Sequence, residues 1–188
     1  LLKNKKISMP EMIDNISINS VFDEYRTETK KNCDEEYYRD FYEFMHSLKE
    51  NIVYRTRLME RIVINNDKAG CVYFTNYHLG EFISYLLIEI CKNESIELLE
   101  CVYSQPHNEL GEVSVYACKF GSIKILQWLY DKKYYIGESC VFEACKNDAL
   151  ECLKFLIGKI KIDSSAIICA MQSGHLDCLK YLQQNGIK

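Results

Sequence analysis

Apolar side chains return every three or four positions through most of this chain, the spacing of a helix with one buried face. Between Asp34 and Asn65 there is neither Gly nor Pro, and Tyr38, Phe41, Met45, Leu48, Ile52, Met59 and Ile62 keep that period. The pattern predicts one long helix there, or two broken near Glu50-Asn51. Further along the apolar runs shorten. Leu150, Leu153 and Leu156/Ile157 predict a helix of about two turns, and Ser139 to Lys146 predicts another just before it, with Ser139 as its N-cap. Asn147-Asp148 makes the turn between them, where neighbouring segments carry Gly121 and Gly174. Glycine suits the left-handed residue that ends a helix, and Asp is a poorer substitute.

This helix–turn–helix unit repeats. The segments Ile90–Val102, Ala117–Leu129, Ala144–Leu156 and Ala170–Leu182 start 27, 27 and 26 residues apart. Cys91, Cys118 and Cys145 share a column, with Met171 the departure. Ile96, Ile123, Leu150 and Leu176 share a second, and Leu99, Leu126, Leu153 and Leu179 a third. Cys101, Trp128, Phe155 and Tyr181 form a bulky column in which Trp128 is expected to be buried. A single pair of short helices cannot cover its own apolar face, so neighbouring pairs must stack. The expected fold is all-α: a helix-pair solenoid of about four units over residues 77–188, preceded by a mainly helical region over 1–76. An earlier unit is hinted at in Val63 to Thr75, where Ala69, Cys71 and Val72 fall at the expected offsets. Pro10 to Lys31 is more polar and reads as helix, loop or disorder, with Met12, Ile13, Ile16, Val21 and Phe22 as anchors.

The run Ser173-Gly174-His175-Leu176-Asp177-Cys178-Leu179-Lys180-Tyr181-Leu182-Gln183-Gln184-Asn185-Gly186 resembles the second-helix signature of ankyrin repeats. The first-helix T-P-L-H motif is degraded to Ser139-Cys140-Val141-Phe142 and Ser165-Ala166-Ile167-Ile168. The period is also shorter than the roughly 33 residues of the standard repeat. The missing length lies between units, as at Asp131 to Glu138, where Ile136 and Ile162 are expected to tuck inward. Short repeats of the Cys-Leu-Lys-Tyr-Leu kind resemble those of large DNA viruses of amoebae and of protists, and the Lys, Asn, Ile and Tyr enrichment fits an AT-rich genome. The resemblance implies a non-catalytic protein–protein interaction module, a viral protein engaging a host factor in the host cytoplasm or carried in the virion. The alternative is a structural component of a virion or larger assembly.

Composition narrows the chemistry. A net charge of −4, with both signs interspersed, lacks the basic footprint of a nucleic-acid binder. The longest apolar stretch, Phe82 to Ile90, carries Ser84 and Glu89 and is too short to span a bilayer, so no membrane role is expected. The start lacks both a secretory apolar run and an initiator Met, which reads as a piece of a longer chain. Gly186-Ile187-Lys188 leaves open whether the last unit is a cap or the chain continues. Ten cysteines invite a disulfide or zinc framework, yet none forms a C-x-x-C pair and several sit at helix-interior positions. They read as reduced packing residues of a cytosol-like compartment. His46, His78, His107 and His175 are scattered, and Cys140, Cys145, Cys152 and His175 lack metal-ligand spacing. No phosphate loop or nucleophile motif occurs. No catalytic residue, cofactor or metal is expected, and His175 reads as support for a turn.

The expected partner is therefore a protein, held on the face that stacked helix pairs present. Lys92, Lys119 and Lys146, continued by Gln172, form one outward column of the first helices. Lys132, Lys133, Tyr134 and Tyr135 in the following loop combine exposed aromatics with cations, a frequent composition of interface anchors.

Overall fold

A computed structural model describes residues 52–77, 81–104 and 112–187. The expectations for Pro10 to Lys31 and for 34–51 lie outside these residues. Among the described residues the regular elements are ten α-helices: α1 Ile52–Ile64, α2 Lys68–Tyr77, α3 Glu81–Lys92, α4 Ile96–Tyr103, α5 Val113–Lys119, α6 Ile123–Asp131, α7 Ser139–Lys146, α8 Leu150–Leu156, α9 Ser165–Ser173 and α10 Leu176–Gln184. An isolated bridge between Ile157 and Ile160 is the one β-type pairing among them. The chain divides into two compact units, 1–61 and 62–188. In the first, the described residues are the opening turns of α1, with Leu58 and Met59 buried.

The second unit is a stack of helix pairs. First helices α3, α5, α7 and α9 pack side by side in one row, and second helices α2, α4, α6, α8 and α10 in another. The turns explain the repeat at the level of single hydrogen bonds. In five of them a residue with positive φ follows the first helix: Asn66, Glu94, Gly121, Asp148 and Gly174. The next amide then reaches back five residues, from Asp67 to Ile62, Ser95 to Ile90, Ser122 to Ala117, Ala149 to Ala144 and His175 to Ala170, at 2.8–3.1 Å. This satisfies carbonyls that the helix end would otherwise leave bare. The turn at Asn66 has the same form, so the weak match around Val63 to Thr75 is a real element of the stack, 28 residues before the next. Its Cys71 occupies the column of Leu99, Leu126 and Leu153, and all four are fully buried.

Gly174 is a position where backbone freedom is isolated from packing. Its φ is +76°, and a Cβ built there meets nothing within 4 Å. Gly174→Ala is therefore expected to cost only the left-handed backbone strain, about 1 kcal/mol. Urea unfolding measures it, and a variant as stable as the parent would show that the turn does not need this conformation.

The core is the sum of the inward columns. Cys91, Cys118 and Cys145, with Ala117, Ala144 and Ala170, keep the rows close because a small side chain lets backbones approach. Ser139 proves to be the first residue of α7, and Glu138 holds the N-cap position. In the last layer Met171 is 61% and Leu176 64% exposed, whereas the matching Cys145 is buried and Leu150 half-buried. Each earlier position is covered by the layer that follows it.

Candidate partner-binding surface

Two sets of residues face outward in register with the repeat. The first is the column one step beyond the buried cysteines. Lys92, Lys119, Lys146 and Gln172 are all exposed at or near the C-terminal ends of α3, α5, α7 and α9. Glu89, itself almost fully buried, lies 2.6 Å from Lys92, and Glu143 lies 4.0 Å from Lys146. Lys92 and Lys119 both approach the ring of Phe120, at 5.5 and 5.7 Å from its centroid, so one aromatic bridges two layers. One turn back, Ile88, Val115 and Phe142 are half-buried and Ile168 exposed, giving the row an apolar stripe beside its cations.

The second set is the loop after α6. Two residues past the end of α6, Lys133 takes φ +62°, and the amide of Tyr134 donates to Leu129 O at 2.9 Å. That turn throws Tyr134 against Trp128 (5.7 Å between centroids, stacked) and Tyr103 (4.4 Å). Tyr135 is 84% exposed, its ring folded over Gly137, where an added Cβ would lie 3.0 Å from the ring. Ile136 and Ile162 are half-buried beneath the loops, in line with the inward orientation expected of them.

Trp128 departs from expectation. It is half-buried, as are Cys101, Phe155 and Tyr181 in the same column. On α6 the buried residues are Ile125, Leu126 and Leu129. Trp128 lies to one side of that stripe, in the seam with α4, where its indole N–H donates to Glu100 Oε1 at 3.1 Å. An indole needs such an acceptor, and a fully buried column would not supply one. The sequence reading also missed that a lysine stands four residues after the aromatic in two successive layers. Lys132 lies 5.8 Å from the Trp128 ring and Lys159 4.2 Å from the Phe155 ring. The i,i+4 spacing of Trp128/Lys132 and Phe155/Lys159 was the available signal.

Burial pushes the Cys91 and Cys145 thiols up to about 12 and raises Cys71 as well. Cys118 is raised by hydrogen bonds with Cys140 and Cys152 and then by burial. These thiols stay protonated near neutral pH, opposite to what a nucleophile needs. The described cysteines are free, and among the described residues no group of three or more His, Cys, Asp or Glu is placed to hold a metal ion. His175 precedes α10 and places Nε2 3.0 Å from Lys146 O of the previous layer. Ser122, at the same position one layer earlier in the second-helix row than Ala149, donates to Cys91 O at 2.5 Å. Both side chains act as ties between layers. No helix of the described residues is long and apolar enough to cross a membrane.

Residues 114–188, which span α5 to α10, match the family model for ankyrin repeats in three copies. No curated protein and no solved structure matches the chain.

Proposed function

We propose, starting from the ankyrin-repeat match over 114–188, that this chain is a non-catalytic module that holds a protein partner on its first-helix row and inter-layer loops. Ankyrin repeats are protein-interaction modules, and stacked pairs create an extended face on which successive layers contribute equivalent side chains. The observation that carries the reading is the exposed column Lys92, Lys119, Lys146 and Gln172, flanked by the loop that presents Tyr134 and Tyr135. Lys119 and Lys146 contribute little to the stack, because exposed charges stabilise weakly, whereas Lys92 also neutralises the buried Glu89.

We extend the proposal to the setting of the interaction. The short period and the Lys, Asn, Ile and Tyr enrichment support a viral protein that meets a host factor in the host cytoplasm, with nucleic acid and membrane outside its range of partners.

Affinity capture on the full chain, followed by mass spectrometry, tests the proposal. One protein is expected to be recovered reproducibly, and to be lost both from Tyr134→Ala/Tyr135→Ala and from Lys119→Glu/Lys146→Glu, which keeps Lys92 on the buried Glu89. Recovery of no protein, or of one retained by both variants, would overturn it.

A further inference from the structure

From charge pairing along the stack, we infer that the loops following α6 and α8 form a docking site for an acidic segment of a partner protein. The inference rests on the interaction-module reading and specifies the chemistry of its ligand.

Most described lysines of the second unit fall into two groups, with Lys161 apart from both because its charge acts on Asp163 two residues on. On or next to the helices, Lys68, Lys92, Lys124, Lys146, Lys154 and Lys180 each lie within 4.0 Å of a carboxylate. Lys119, over the ring of Phe120, is the exception. In the loops the situation reverses. Among the described residues, Lys132, Lys133 and Lys159 form no ion pair, although Asp131 and Glu138 are close in sequence. Among the described residues, ion pairs therefore fall mainly on helix cations, while Lys132, Lys133 and Lys159 have none.

The three lysines belong to one place. Lys132 lies over Trp128 and Lys159 lies 5.7 Å from the ring of Tyr130, and both rings are in the last turn of α6. Lys133 follows directly, in a left-handed conformation that a β-carbon disfavours. Glycine would suit that backbone better, and Gly186 takes positive φ after α10. This is the helix-ending conformation that Glu94 and Asp148 also take, and here it sets an exposed lysine beside the two tyrosines. Tyr134, 41% exposed and fixed by its stack on Trp128, and Tyr135 beside it offer flat apolar surface next to the charges. The ligand that complements this surface carries carboxylates for the ammonium groups and an apolar side chain for the tyrosine rings.

A random 12-residue peptide library selected on the full chain provides the test. The enriched peptides are expected to be rich in Asp and Glu around one apolar or aromatic residue. A synthetic peptide from that pool is expected to lose roughly tenfold or more in affinity on Lys132→Glu/Lys133→Glu/Lys159→Glu, since three exposed pairs are removed. It should also weaken as salt rises from about 0.05 to 0.5 M. The same triple variant, reselected, is expected to enrich basic peptides, a reversal that a folding defect would not produce. A pool without acidic bias, no enrichment at all, or an acidic peptide indifferent to the triple variant would overturn the inference. The module reading fails separately: a captured protein insensitive to the triple variant but lost from the Lys119/Lys146 variant leaves that reading intact and removes only this site.

Discussion

Replacing Leu126 by alanine is expected to lower the free energy of unfolding by about 3 kcal/mol, within the range of roughly 2–5 kcal/mol for such buried truncations. Leu126 is fully buried and stands in α6 between Leu99 of α4 and Leu153 of α8, which are buried to the same degree. The second helices pack directly on each other, so the lost methyl groups leave a cavity that neither neighbour can close without moving its own layer. Leu176→Ala, in a helix of equal length, is expected to cost well under 1 kcal/mol, because that side chain is 64% exposed. Urea unfolding of the two variants makes the comparison. Similar losses would mean that the last layer is covered in solution; a small loss at Leu126 would mean that the layers do not depend on each other as the packing requires.

Alkaline pH is expected to destabilise the fold from about pH 9 upward. Cys71, Cys91 and Cys145 have an ordinary thiol value of 9.0, which burial raises in the folded state, to about 12 for the last two. Below pH 9 both states keep these protons, and the stabilisation is fully present. Above it the unfolded chain releases protons that the folded chain retains, so stability falls as pH rises and continues to fall until the folded thiols titrate. Each group contributes about 1.4 kcal/mol per pH unit in that window, and three together about 4 kcal/mol, a large share of the stability of a small domain. The urea midpoint, measured in reductant, should drop sharply between about pH 9 and 10. Cys91→Ala and Cys145→Ala should each flatten the decline. A midpoint unchanged to pH 10 would mean that these thiols are not buried as described.

Much of the architecture was legible in the residues. The columns of Leu99, Leu126 and Leu153 and of Cys91, Cys118 and Cys145 all became core, because side chains at helical spacing share one face wherever the helix is placed. The boundaries of α7, Ser139–Lys146, also followed from pattern. The N-cap did not: Ser139 lost that role to Glu138, since helix ends are set by backbone hydrogen bonding that several adjacent residues can satisfy. The candidate surface was legible only in part. An outward column can be counted along a helix, and Lys92, Lys119, Lys146 and Gln172 are indeed exposed. The aromatic seam of Tyr103, Trp128 and Tyr134 joins residues of two layers and a loop, and no single-helix period contains it.

The sequence by itself determined which side chains turn inward, where each helix pair folds back and that layers recur every 26 or 27 positions, because these depend on local backbone geometry and short-range spacing. Tertiary structure alone decided the lateral neighbours. It brought Glu100 to the Trp128 indole and Glu94 to Lys124, set α2 in the second-helix row, and left Lys132, Lys133 and Lys159 without an ion pair among the described residues. Those pairings depend on how far one layer slides and turns against the next, which is fixed by the packing of whole helices and is not encoded in the spacing along any one of them.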